Sequence, residues 1–237
     1  MREGLLIVNK PRGLTSHDVV ALMRRKLGLQ RIGHAGTLDP MAEGVLVLLL
    51  GAATKQQRRI QAHRKRYETV IQLGMSTDTG DAWGQPLEHA PIPALDRSRV
   101  ESVCASLIGR LTQVPPAFSA IKVQGRPLYR WARQGTRLEA PARIVEILAM
   151  TVCEITPDRL RCRIECSAGT YIRSLAETCA QRLGTVGHVR ELIRLAVGPW
   201  ELSAACDLNW LLHEATLEAV YSHVQSLDEC DAACHRP

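Results

Sequence analysis

The chain has 237 residues, with 30 Lys and Arg against 24 Asp and Glu, 46% hydrophobic residues and a sequence pI of about 9.0. That length fits one large domain or two small ones, the apolar share excludes wholesale disorder, and the +6 net charge favours a polyanionic partner, nucleic acid first. The apolar run Leu5-Leu6-Ile7-Val8 is too short for a secretory signal and no segment reaches the length of a membrane span, so a cytoplasmic protein is expected.

Residues 4–9 are predicted as a short buried strand. Ser16 is predicted to cap a helix whose Val19, Val20, Met23 and Leu27 form an apolar stripe ending at Gly28. Directly after it comes Gly33-His34-Ala35-Gly36-Thr37-Leu38-Asp39-Pro40. Its glycines permit unusual backbone conformations, and Pro40 pushes Asp39 toward an extended one, so the loop reads as a device that presents a carboxylate. Taken alone, an Asp-Pro reads first as an ordinary turn in a connecting loop, and it is the rest of the chain that decides against that.

Residues 45–50 and 67–73 are predicted strands separated by a basic, helix-like stretch. The acidic loop Thr77-Asp78-Thr79-Gly80-Asp81 lacks the spacing and closing glutamate of a calcium loop and is expected to be a solvated turn. Residues 98–108 read as a helix, 144–155 and 159–166 as two strands joined at Pro157-Asp158, and about 171–183 as a further helix. Beyond Trp200 only a helix-like piece over 208–220 and a polar tail remain. This irregular mixture predicts an α+β (mixed α/β) fold, a largely antiparallel mixed central sheet with helices packed on it.

The eight cysteines are scattered and imply reduced thiols rather than a disulfide framework. Cys162 and Cys166 share one face of an alternating run and are expected to fill a core, not to bind zinc. Cys230, Cys234 and His235 lack a second ligand pair, which leaves a weak metal signal, and no metal is assigned.

Basic residues cluster twice. Arg58, Arg59, Arg64, Lys65 and Arg66 precede Tyr67, and Lys122, Arg126, Arg130, Arg133, Arg137 and Arg143 have only Glu139 to offset them. Pro127 and Gly135 bracket a short helix in the second group, with Arg130 and Arg133 on one face. Each group alone is as compatible with a solvated face as with phosphate contact; together, flanking a candidate aromatic, they point to a nucleic-acid backbone. With four Trp, four Tyr and one Phe, the chain lacks the aromatic-studded strands of a single-strand-binding platform.

Gly169-Thr170-Tyr171-Ile172-Arg173 opens the late helix with a phenol and a guanidinium, and a carboxylate such as Asp39 needs a cation of that kind. With this block the chain resembles the TruB family of tRNA pseudouridine synthases from Lys10 to about Trp200. The resemblance is carried by Lys10-Pro11-Arg12-Gly13-Leu14-Thr15-Ser16, the Gly33–Pro40 loop continued through Met41-Ala42-Glu43-Gly44-Val45-Leu46, and Lys65-Arg66-Tyr67-Glu68. It continues through the Thr77-to-Asp81 loop, Val114-Pro115-Pro116-Ala117-Phe118-Ser119-Ala120-Ile121-Lys122, the Gly169-to-Arg173 block and His188-Val189-Arg190-Glu191-Leu192.

The resemblance implies the pseudouridine synthase fold over residues 1–213, with a basic thumb-like insertion at about 114–143. It implies isomerisation of uridine to pseudouridine at the position numbered 55 in the tRNA T-loop, without cofactor or metal. Asp39 takes the place of the catalytic aspartate, Arg173 that of its arginine partner, and Tyr67 that of the tyrosine stacking on the target base. His34 corresponds to a histidine associated with extruding that base, and Tyr171 and Leu192 to residues lining the nucleotide pocket. Lys122 and Arg130 fall on the insertion that closes over the T-loop and are assigned to phosphates. Many members carry a C-terminal PUA or related RNA-binding domain; residues 214–237 are expected to be a short tail without one. The implied partner is tRNA, through T-loop and stem, with no membrane and no obligatory protein partner, the chain acting as a monomer.

Two other readings compete. The same aspartate loop occurs in the catalytic subunit of guide-RNA-dependent pseudouridylation complexes, and the same surface could serve a non-catalytic tRNA-folding chaperone. A glycoside hydrolase ranks below both, since a second carboxylate of the usual pair is not evident.

Overall fold

Strands and helices alternate irregularly along the chain, and in the computed structural model, which describes residues 3–136, 138 and 140–226, they pack as two units. Residues up to Tyr67 together with those from Ile193 onward form the first, and Glu68–Leu192 the second. Cys230, Cys234 and His235 of the tail, and Arg137 and Glu139 of the insertion, lie outside the described residues.

In chain order the elements are β1 (Gly4–Lys10), α1 (Ser16–Leu27), β2 (Ile32–His34), β3 (Glu43–Leu50), α2 (Gln57–Gln61) and β4 (Lys65–Leu73). There follow β5 (Met75–Thr77), β6 (Pro86–His89), α3 (Arg97–Ser106), β7 (Gly109–Gln113), β8 (Lys122–Val123), β9 (Arg126–Pro127) and α4 (Leu128–Ala132). The chain ends with β10 (Arg143–Ile155), β11 (Arg159–Cys166), α5 (Ile172–Leu183), β12 (Gly187–Val197), β13 (Trp200–Glu201), β14 (Cys206–Asp207) and α6 (Leu217–Ser222).

In the first unit β1 lies antiparallel to β3 from Gly4↔Leu50 to Lys10↔Gly44, β14 runs parallel to β1, and the end of β12 runs parallel to β3 through Ile193↔Glu43 and Arg194↔Gly44. One face, carrying Leu6, Val8, Leu46 and Leu48, is covered by Val19, Val20, Met23 and Leu27 of α1. The other, carrying Leu5, Ile7, Val45 and Val47, is covered by Ala53, Ile60 and Trp200. Burial on both faces explains why 45–50 reads as a continuous apolar run rather than an alternation.

The helix start differs from expectation by one residue. Thr15, not Ser16, is the cap: its hydroxyl accepts from the Asp18 amide at 3.0 Å while the Asp18 carboxylate accepts from the Thr15 amide at 2.8 Å, a reciprocal capping box. Ser16 is fully buried and bonds elsewhere, to Leu38. The predicted piece over 208–220 is also interrupted. A π-helical turn (Trp210–Glu214) stops at Ala215, and Thr216, extended and capping Ala219 at 3.2 Å, restarts the chain as α6.

The second unit orders its strands β12-β4-β11-β10-β7, with β5–β6 and β8–β9 as separate two-stranded pieces. β10 and β11 form the predicted antiparallel hairpin, with register shifts at Ile147/Ala149 and Val152/Glu154. Cys162 and Cys166 are fully buried, as their spacing predicts, and Cys104 of α3 and Cys179 of α5 are buried free thiols as well. The neighbouring Cys104 sulfur, then burial, push the Cys162 and Cys179 thiols up, so both stay neutral. Parallel pairs are confined to β1–β14 and β3–β12 among the registers described, which is the largely antiparallel mixed sheet expected.

Candidate active site

The candidate residues divide between the units: His34, Asp39 and Tyr67 belong to the first, and Lys122, Arg130, Tyr171, Arg173 and Leu192 to the second. Asp39 lies on the connection between β2 and β3, which pair antiparallel through Ile32↔Leu50 and His34↔Leu48. The chain turns out of the sheet at Gly36, whose φ of +100° disfavours a side chain, and is then held at nearly every residue. The Leu38 amide donates to the Ser16 hydroxyl at 2.9 Å, which donates to the Leu38 carbonyl at 3.1 Å. The Pro40 carbonyl accepts from the Gly13 amide at 2.9 Å, the Met41 carbonyl from Arg12 Nε at 3.1 Å, and the Asp39 carbonyl from the Ala42 amide at 3.0 Å. Asp39 is half-buried at the crest of this loop, held as its sequence context implies.

Two cations underlie the loop that sequence reasoning left without a role. Lys10, fully buried at the end of β1, donates its ammonium to the carbonyls of Pro11 and Leu14 at 2.8 Å each. Burial, then the Arg194 charge, lower its pKa to about 8 against the opposing pull of Asp39, Glu43 and Asp18. Arg194, buried in β12, donates to the carbonyls of Gly36, Thr37 and Val45. The only sequence signal for it is a charge between apolar residues of a strand.

His34 packs edge-on against His17 with ring centroids 5.1 Å apart. Burial, then His17 and Arg194, bring its pKa down to about 4, so the ring is neutral at neutral pH. Its Nδ1 is buried, with no hydrogen-bond partner among the described residues. Tyr67 is buried at the start of β4.

In the second unit Tyr171 immediately precedes α5, and Arg173 sits in its first turn. The Gln113 side chain holds the Tyr171 backbone at both ends, accepting from its amide at 3.1 Å and donating to its carbonyl at 3.3 Å. Arg143 lies over the Tyr171 ring, its guanidinium carbon 4.5 Å from the centroid. Arg173 is buried and donates to the carbonyls of Thr79 at 2.7 Å and Phe118 at 2.9 Å, with Asp81 Oδ2 3.9 Å from Nε. The Thr77-to-Asp81 loop is therefore not the solvated turn expected. Thr77 and Asp81 are buried, and Asp81 accepts from Thr79 and from the Trp83 amide, spending its carboxylate on the loop whose Thr79 carbonyl accepts from Arg173. Leu192 is buried in β12.

The basic groups behave unequally. In the first, Lys65 is buried against the carbonyls of Gln61 and His63, and Arg66 pairs with Glu201, so both are occupied within the protein rather than offered to phosphate. In the second, Lys122 and Arg130 are exposed, and among the described residues neither has a carboxylate partner. Arg126 lies 4.9 Å over Trp131 and Arg133 5.6 Å over Tyr129, so the short helix presents its cations on aromatic supports. Among the described residues no group of three or more His, Cys, Asp or Glu is placed to hold a metal ion, and no helix is long and apolar enough to cross a membrane.

Residues 24–172 match the family model described as TruB family pseudouridylate synthase (N terminal domain). The chain is 44% identical over 209 residues to a protein named tRNA pseudouridine synthase B from Aromatoleum aromaticum, covering 88% of this chain and 68% of that one. It is 45% identical over 225 residues to its namesake from Thermobifida fusca, covering 92% and 77%. A solved structure described as a Cbf5-Nop10-Gar1 complex matches with a TM-score of 0.74 and 26% identity over 97% of this chain, which spans 62% of the solved chain. Together with the aspartate loop, the arginine at the head of α5 and the mixed sheet, these matches show that the chain belongs to the TruB family of pseudouridylate synthases, which are isomerases.

Proposed function

We propose that the protein isomerises uridine to pseudouridine at position 55 in the T-loop of tRNA, acting alone and without a cofactor. The observation that carries this reading is the Asp39 loop, a half-buried carboxylate on a backbone bonded at successive residues, in a chain whose relatives are named for tRNA. The reaction breaks the bond from C1′ to N1, turns the uracil, forms the bond from C1′ to C5, moves a proton off C5 and returns one to N1. Atoms and charge balance with nothing added.

Asp39 supplies the carboxylate for this exchange, with Arg173 in the place of the arginine that serves it in the family. Tyr67 stacks on the uracil, and Tyr171 and Leu192 line the nucleotide pocket. The target base must first leave the folded loop; His34, neutral at working pH, acts in that extrusion by shape and hydrogen bonding rather than as an acid. Lys122 and Arg130 take phosphates of the T-loop and stem.

Incubation of the purified protein with unmodified tRNA and no guide RNA, followed by mapping of pseudouridine, tests the reading. Product confined to the T-loop is expected. Guide dependence is the alternative reading, and product formed only after adding a guide RNA and partner proteins would establish it instead.

A further inference from the structure

We propose that Arg194 is the positioning residue of the active site, the group that ties the way into the Asp39 loop to the way out and so sets where the carboxylate stands; this rests on Asp39 being the catalytic group. Its guanidinium donates through Nη2 to Gly36 at 3.1 Å and through Nη1 to Thr37 at 3.2 Å, both ahead of Asp39, and through Nε to Val45 at 2.7 Å, behind it. Three carbonyls facing three directions are served by one planar fork, a pattern that an ammonium on a flexible stem cannot copy.

The backbone of Arg194 is as closely fitted as its side chain. It pairs with Gly44, the second residue of β3, and a Cβ on Gly44 would collide with the Arg194 carbonyl oxygen. With φ at +107°, Gly44 lets β12 come against the exit of the loop, and the side chain then reaches around to its entrance. Arg194 is itself closed off from solvent, so it cannot touch RNA; whatever it contributes to catalysis passes through Asp39. Its charge also reaches the neighbouring groups, being a cause of the lowered values of both Lys10 and His34.

Arg194→Lys keeps the charge and loses the fork. Misplacement of a reacting group by about 1 Å costs on the order of 10²-fold in rate, and that is the loss of kcat expected, with tRNA dissociation constant within about two-fold of the parent. Gly36→Ala attacks the acceptor instead: it strains the φ of +100° while its Cβ would meet nothing nearer than Nη1 at 3.9 Å, and the same split between kcat and binding is expected. Thermal melts of each variant accompany the kinetics. Arg194→Lys with a cooperative melt and kcat within about three-fold of the parent overturns the proposal, as does a fall in affinity that matches the fall in kcat. Should Arg194→Lys not fold, Gly36→Ala decides, and parental kcat in that variant overturns it. Parent protein that makes no pseudouridine overturns the proposed function, and the positioning role with it; an active parent beside an unimpaired Arg194→Lys removes the positioning role alone.

Discussion

The Asp39 loop and the basic segment from Lys122 to Arg143 both depend on arginine, and they use it in opposite ways. In the loop, Arg194 is buried and all three of its donating groups are committed to backbone carbonyls. In the basic segment, Arg126, Arg133 and Arg143 lean on the rings of Trp131, Tyr129 and Tyr171, and Lys122 and Arg130 stand in solvent. Guanidinium bonded to fixed carbonyls gives geometry; guanidinium stacked on an aromatic keeps hydrogen-bonding edges for a partner. The first arrangement suits chemistry, where displacement is costly, and the second suits a flexible polyanion.

The largest effect that tests this contrast is at Asp39. Asp39→Asn preserves shape and removes the carboxylate, so pseudouridine formation should fall below detection in a tritium-release or mapping assay while tRNA affinity stays within about two-fold. Substantial turnover by that variant would break the assignment of chemistry to the loop.

Next is the cost of the buried ammonium under the loop. Between about pH 8, the value of Lys10 in the folded chain, and its ordinary 10.5, the unfolded chain holds a proton that the folded chain has lost. Stability from this group therefore rises with pH across that window, by up to about 3 kcal/mol. Urea denaturation of the parent and of Lys10→Met at several alkaline pH values measures it: the rise should be present in the parent and reduced in the variant.

The basic segment should respond in affinity and hardly in rate. Charge reversal of Lys122 and Arg130 to Glu is expected to weaken tRNA binding about ten-fold and to flatten the salt dependence by one to two phosphate contacts, with kcat at saturating tRNA little changed. An unaltered salt slope would remove this segment from the RNA interface. The smallest effect lies outside both regions: Thr15→Ala opens the capping box of α1 and should cost about 1 kcal/mol in a denaturant melt, without selective loss of activity.

Much of the fold was legible because it depends on local pattern. The stripe of Val19, Val20, Met23 and Leu27, the apolar run over 45–50 and the alternation of Leu160, Cys162, Ile164 and Cys166 each carry a period that one strand or helix must satisfy. Where two adjacent residues could do the same work, pattern was not enough. Thr15 and Ser16 are both good caps, and the choice fell to Thr15 because Ser16 is needed 22 residues away at Leu38. Lys65 and Arg66 look like RNA contacts by composition, yet one closes the carbonyls after α2 and the other meets Glu201, since a charge in sequence carries no label for its partner. The Thr77-to-Asp81 loop looks wet for the same reason: its carboxylate and hydroxyl bond to one another and to the loop's own backbone.

By itself, the sequence determined which family this protein belongs to and which segments become strands and helices, because motif spacing and hydrophobic period are properties of neighbours along the chain. Only the tertiary structure decided what holds Asp39 in place. Arg194 lies 155 residues further on, and its partnership with Gly36, Thr37 and Val45 exists only once Gly44 has admitted β12 to the edge of β3. Hydrogen bonds between residues so far apart leave no periodicity to read; they are made when burial excludes water and each carbonyl must find a donor.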